Sequence, residues 1–204
     1  IPCSLLQGHS LGKGCGKPEE VCLIFDGAAE YYLKNGLGRE IRQQDVLDIL
    51  KLADEAGLVL QPSNSKKIVN ICCCCGDCCG VLRNIKRYPK PASLAATPFF
   101  AKVDIETCEG CGVCLDRCQM EAVQLMDEKA SVYMDRCIGC GLCVSTCPTD
   151  AMTLVRKPAY DQPEVPRDFT GAIFRLGRAR GKLNFGELLM MQLKSKFDRL
   201  LASK

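Results

Sequence analysis

Two stretches of this chain repeat one another with four cysteines each at matching intervals, and that spacing constrains the fold more than any other feature. Residues 102–126 and 131–155 are related by an offset of 29 positions. The first copy holds Cys108, Cys111, Cys114 and Cys118; the second holds Cys137, Cys140, Cys143 and Cys147, followed by Pro148. Both read Cys-x2-Cys-x2-Cys-x3-Cys. Three cysteines at x2 intervals on a tight loop set three thiolates on three corners of one iron–sulfur cubane, with loop N–H groups turned inward to offset its negative charge. The fourth cysteine lies past the start of the following helix, cannot reach that cubane, and serves the other. One cluster is therefore expected on Cys108, Cys111, Cys114 and Cys147, and the other on Cys137, Cys140, Cys143 and Cys118. Gly110, Gly112, Gly139 and Gly141 let the backbone approach closely and take positive φ. Two zinc ribbons on the same cysteines are the bland alternative, but those pair separate Cys-x2-4-Cys knuckles rather than an uninterrupted run of four.

On these residues the segment resembles the bacterial-type two-[4Fe-4S] ferredoxin family, over about 55 of the 204 residues. The resemblance implies a compact pseudo-twofold α+β domain whose two adjacent clusters pass single electrons. One departure stands out: Gln119 follows Cys118 where the family usually has Pro, whereas Cys147 keeps Pro148. The ligand count is intact, and one cluster's potential is the property that the change would alter.

The chain has 17 cysteines in all, an odd number, with one His and no Trp. A secreted disulfide scaffold is usually shorter and even in count, so a reducing compartment is expected, cytoplasmic and in an anaerobe. Nine cysteines lie upstream of the repeat. Cys3, Cys15 and Cys22 are spread, while Cys72, Cys73, Cys74, Cys75, Cys78 and Cys79 crowd into eight positions. Within that run Cys72, Cys75 and Cys78 again have the three-corner spacing, with Cys3, Cys15, Cys22 or Cys79 as a fourth ligand. A third cluster is expected there, with zinc the alternative because soft thiolates select either metal. Six free thiols in eight positions would oxidise and exchange readily. The doubled Cys-Cys-Gly resembles the cysteine-rich modules that hold noncubane clusters in heterodisulfide reductases, without their wider spacing. The upstream segment as a whole is similar to that of multi-cluster ferredoxin-like proteins of anaerobes. His9 is read as exposed rather than as a ligand, and Tyr31 and Tyr32 as packing residues.

Apolar periodicity upstream predicts helices over residues 28–35 and 43–56, closed by Gly36 and Gly57, then a strand at 58–60 and a turn over 61–67. Helix followed by strand is a winged-helix-like fragment, too short to argue DNA binding. Residues 88–98 hold three prolines and read as a linker; a second linker covers 157–166. The domain expectation is a Cys-rich, mostly helical metal-binding domain (1–98), a two-cluster domain (99–156), and a linker with a basic amphipathic helical tail (157–204). Net charges of these parts are +2, −4 and +5, which recover the +3 of the chain. The tail's apolar positions are Phe185, Leu188, Leu189, Leu193, Phe197, Leu200 and Leu201. It is expected to dock on the acidic domain or on a partner subunit, with a membrane contact peripheral at most. Arg83, Lys86, Arg87 and Lys90 read as a solvated face that also offsets cluster charge. Arg178, Arg180 and Lys182 lack the interleaved aromatics of a nucleic-acid groove, so no nucleic acid is expected.

The longest apolar stretches fall far short of the roughly 20 residues of a membrane span. No nucleotide loop, Cys/His nucleophile pair or acid–base cluster is recognisable. The α+β chain is thus expected to be a non-catalytic electron-transfer component of an oxidoreductase system, working with redox partner proteins as a subunit. Its start at Ile1 without Met fits a fragment of a longer protein. Two alternatives differ in kind: a redox enzyme subunit whose N-terminal metal acts on a thiol or disulfide, and a zinc- or redox-sensing regulatory module.

Overall fold

The computed structural model describes residues 15–179, 181, 186 and 189–195. It divides into two compact units: residues up to 63 with 69–164, and residues 64–68 with those from 165 onward.

In the first unit, β1 (Leu23–Ile24), β2 (Val59–Pro62) and β3 (Asn70–Cys74) form an antiparallel sheet with β3 in the middle. Leu23 faces Ile71, Gln61 faces Cys72 and Val59 faces Cys74. Two helices, α1 (Asp26–Lys34) and α2 (Gln43–Glu55), connect β1 to β2. The Asp45 carboxylate accepts the Arg42 N–H at 2.8 Å, satisfying one of the donors that every helix start leaves open. Gly57 (φ +72°) then reverses the chain, as expected of a glycine just past a helix end. The fully buried Ala53 packs with Val21, Leu58, Cys73 and Cys75 in a small core of their own.

These helices agree with the periodicity. The cysteine run does not follow the loop geometry that its spacing suggested. Cys72, Cys73 and Cys74 lie on the central strand, so their side chains alternate between faces. Cys72 and Cys74 join one core, whereas Cys73 and Cys75 join the other. A protonated thiol behaves as a small hydrophobe, which is why a strand buried on both faces accepts such a run.

Helix α3 (Gly80–Lys86) follows, with Leu82 2% exposed. The proline-rich stretch beyond it is a packed strap rather than a free spacer. Residues Pro91–Ser93 form a 3-10 turn, Pro91 is buried, and the Ala92 N–H donates to Asp135 O at 3.0 Å. The fixed φ of Pro91 suits the first position of that turn.

The repeat forms two antiparallel ribbons: β4 (Phe99–Val103) with β7 (Met152–Arg156), and β5 (Val123–Met126) with β6 (Lys129–Val132). Adding 29 residues carries β4 onto β6 and β5 onto β7, so each ribbon takes one strand from each copy. A short helix, α4 (Val113–Arg117), starts after Gly112 (φ +80°). Met120, Leu142, Ala101 and Met152 fill the core between the ribbons, and Val59, Cys74, Cys79 and Leu82 from upstream belong to that same core.

The second unit centres on α5 (Phe169–Ala179), whose first turn is closed by the Gly171 N–H donating to the Asp168 carboxylate at 2.8 Å. Lys66 and Lys67 N–H groups pair with the carbonyls of Pro166 and Arg167. Residues 189–195 are helical, and Leu189 and Leu193 are exposed. Phe185, Leu188, Phe197, Leu200, Leu201, Arg180 and Lys182 lie outside the described residues, as do Cys3 and His9. No helix among the described residues is long and apolar enough to cross a membrane.

Candidate functional site

The two loops of the repeat each wrap a small cavity, and the lining is crossed between the copies. One is lined by Cys108, Cys111, Cys114 and, from the other copy, Cys147. The other is lined by Cys137, Cys140, Cys143 and Cys118. Backbone geometry enforces these shapes. A Cβ on Gly110 (φ +67°) would sit 1.9 Å from Glu128 O, and one on Gly139 (φ +63°) 2.2 Å from Phe99 O. Each loop therefore presses on backbone at the start of a ribbon strand of the opposite copy, and only glycine permits the contact.

Amide donors converge on the sulfurs with the same pseudo-symmetry. Ala101 N–H points at Cys137 Sγ and Ala130 N–H at Cys108 Sγ, both at 3.4 Å. Ala122 N–H reaches Cys118 Sγ at 3.2 Å. Burial raises the Cys147 thiol, but N–H groups of Met152, Thr149 and Ala151 outweigh it and hold the thiol below its ordinary value. Burial pushes Cys140 up to about 11 and Cys143 up to about 12, with the nearby Cys118 and Cys137 adding to both. Such thiols give up their protons only beside compensating positive charge, which bound iron supplies.

Residues 101–154 match the family model of the 4Fe-4S dicluster domain. No curated protein matches the chain. The match covers all eight cysteines of the repeat, and the four-cysteine linings with inward amides fit the group that the family holds. The chain carries a 4Fe-4S ferredoxin-type domain, and with so many cysteines beside it the chemistry is iron–sulfur electron transfer.

Upstream of the dicluster domain the described thiols other than Cys73 fall into two sets. The first is a chain of contacts: Cys72 is hydrogen-bonded to Cys22 and Cys74, and Cys74 in turn to Cys79. These contacts lower Cys72 and raise Cys74. Asn70 Nδ2 adds a donor to Cys72 Sγ at 3.2 Å. The second set is Cys15, Cys75 and Cys78, whose sulfurs all lie within 4.8 Å of one another. Spacing along the sequence grouped Cys72 with Cys75 and Cys78; the strand sends Cys72 to Cys22 and Cys74 instead. Cys74 had no place in the sequence-based set, and the signal for it was the period of two along an apolar run.

Gln119 ties the two regions together. Its side-chain oxygen accepts the Gly76 N–H at 2.7 Å, and its amide donates to Gly57 O at 3.1 Å. Proline at this position could make neither bond. Beside it, Arg117 donates to the carbonyls of Glu55 and Asp54 at the end of α2. Arg136 reaches Met120 O at 2.9 Å and Lys86 O at 3.1 Å. Of the basic cluster after the cysteine run, Lys86 pairs with Glu121 at 2.9 Å and Lys90 with Asp135 at 3.0 Å. Those two cations are thus engaged by carboxylates of the dicluster domain. A separate cavity of about 470 Å³ opens between α1, α2 and β1, with Cys22, Tyr32, Leu37 and Ile49 on its walls.

Proposed function

We propose that this protein is an electron-transfer iron–sulfur subunit of a larger redox complex, with [4Fe-4S] clusters held by Cys108, Cys111, Cys114 and Cys147 and by Cys137, Cys140, Cys143 and Cys118. The observation that carries the reading is the crossed lining, in which the last cysteine of each run completes the cavity of the other. Each cluster, when bound, supplies a one-electron couple. The protein's own part is to bury the sulfurs, aim N–H groups at them and exclude water, the levers that set a reduction potential. A third cluster is assigned to Cys22, Cys72, Cys74 and Cys79. Three of its members share the core of the dicluster domain.

The subunit role draws on the second unit, where Phe169, Ile173, Phe174 and Leu176 are all 45–49% exposed on α5. Apolar side chains in that number on one short helix suit a protein partner.

The test is iron, acid-labile sulfide and paramagnetic resonance on protein purified without oxygen. Two clusters need about 8 iron, and a third raises this to about 12. Cys118→Ala and Cys147→Ala should each remove about 4 iron and leave the reduced signal of the other dicluster-domain cluster. Loss of no iron from either variant would refute the crossed assignment.

A second reading is favoured by the cavity at Cys22. A redox enzyme subunit acting on a small thiol or disulfide would bind it there, beside the upstream thiols. Addition of such a compound would then shift the spectrum of the upstream metal and leave that of the dicluster domain unchanged.

A further inference from the structure

The trio Cys15, Cys75 and Cys78 differs in kind from every other thiol group among the described residues. Its three sulfurs lie within 4.8 Å of one another. No trio among the eight dicluster cysteines is that tight, although all eight are described. The physical reason is simple. Thiolates on a cubane each bind a different iron and stand apart, whereas thiolates on one ion share a centre. A tetrahedral ion with metal–sulfur bonds of about 2.3 Å brings its sulfurs to within about 3.8 Å of one another. The structure thus contains its own comparison: a wider spacing in the dicluster domain, and a narrow one here.

The backbone around the trio is shaped for thiolates. Cys75-Gly76-Asp77-Cys78 is a tight turn in which the Cys78 N–H donates to Cys75 Sγ at 3.3 Å. Cys15 is followed by Gly16 (φ +67°), and the Lys17 N–H donates back to Cys15. Two turns that each aim an amide at a sulfur are the arrangement by which short loops hold a single metal ion. Both turns are also anchored from outside. The Lys17 ammonium binds Ala56 O, and Gln119 accepts the Gly76 N–H. The ligands are consequently prepositioned by α2 and by the dicluster domain, not by each other alone. The trio also sits apart from the proposed third cluster, since Cys75 and Cys78 pack with Cys73 and Ala53 whereas Cys74 and Cys79 pack with the dicluster core.

We propose that Cys15, Cys75 and Cys78 form a distinct site for one thiophilic divalent ion, with Zn²⁺ the fitting occupant, held by three thiolates and with a coordination position that no other described residue fills. This site goes beyond the electron-transfer reading and does not depend on it. Zinc has no redox chemistry, and its place beside the end of α2, the cysteine turn after β3 and Gln119 links the upstream sheet to the dicluster domain.

The experiment uses the full chain, purified without oxygen in buffer supplemented with Zn²⁺ and then desalted. Metal analysis should give one zinc per chain beside the cluster iron, and X-ray absorption at the zinc edge should give sulfur neighbours at about 2.3 Å. Cys75→Ser and Cys78→Ser should each reduce retained zinc at least tenfold while iron and sulfide stay at the wild-type level, which also reports that the chain has folded. Cys74→Ser should leave zinc unchanged. As a readout that needs no variant, Co²⁺ in place of Zn²⁺ should give intense thiolate-to-metal absorption at one equivalent. Absence of both zinc and cobalt binding overturns the proposal. So does a loss of about four iron, rather than one zinc, in Cys75→Ser and Cys78→Ser, because that would place these residues on a cluster. Failure of the electron-transfer reading would look different: iron would be missing from the wild type while zinc remained.

Discussion

Replacing Gln119 by alanine should loosen the junction between the cysteine turn and the dicluster domain without removing a single ligand. Two hydrogen bonds are lost, from the Gly76 N–H at 2.7 Å and to Gly57 O at 3.1 Å, and both are partly buried. A net contribution of about 1 kcal/mol per bond gives about 2 kcal/mol, with more if the Gly76 N–H is left without water. At 1.36 kcal/mol per factor of ten, 2 kcal/mol is about 30-fold in an opening equilibrium. Hydrogen exchange is the suitable assay, because cluster proteins unfold irreversibly and local opening is read without unfolding them. The peptide covering Cys75 to Gly80 should exchange about 30-fold faster at the Gly76 amide in the alanine variant. Gln119→Glu separates the two bonds: a carboxylate still accepts from Gly76 but faces the Gly57 carbonyl with another oxygen. Protection should survive at Gly76 and fall around Gly57. If Gly76 exchanges at the same rate in wild type and Gln119→Ala, the side chain is not a clasp and the reasoning fails.

Other expectations follow from the same geometry. Gly110→Ala and Gly139→Ala force a Cβ to 1.9 Å and 2.2 Å from a backbone carbonyl, and should cost several kcal/mol and strip iron, whereas Gly112→Ala meets no atom within 4 Å and should cost only the positive φ, about 1–2 kcal/mol. Metal content after identical preparation checks all three. Leu82→Ala empties a side chain buried in the shared core and should destabilise by about 2–5 kcal/mol, seen as a lower temperature for the onset of cluster loss. Lys90→Ala breaks only an ion pair with both side chains about two-thirds exposed, and should change that temperature negligibly.

The repeat could be read almost completely from the sequence, because the cubane spacing is a local constraint. Four thiols at x2, x2 and x3 intervals with glycines between them admit few backbone paths. Helix α2 was legible for a similar reason: period and end signal lie within one stretch of chain, down to the glycine at position 57. The strap at 88–98 was not. Its prolines announce an irregular path, yet whether such a path hangs free or is pinned by Asp135 depends on a carbonyl more than forty residues away.

The cysteine run shows most plainly where sequence stops. By itself it determined that soft metal ligands are concentrated there, since thiols in that density have few other uses. It also contained two incompatible periods, three for a ligand loop and two for a strand. Only the tertiary structure chose between them. Once β1 and β2 pair on either side of Asn70–Cys74, the run is held as the central strand, and alternation sends Cys72 and Cys74 one way and Cys73 and Cys75 the other. Cys15 and Cys22 come to opposite groups although seven residues apart, because the strand they meet has two faces. Gln119 makes the same point from the other side. As a departure from proline it was visible in the sequence, but its partners Gly57 and Gly76 are brought to it by the packing of α2 and β3, and no local rule names them.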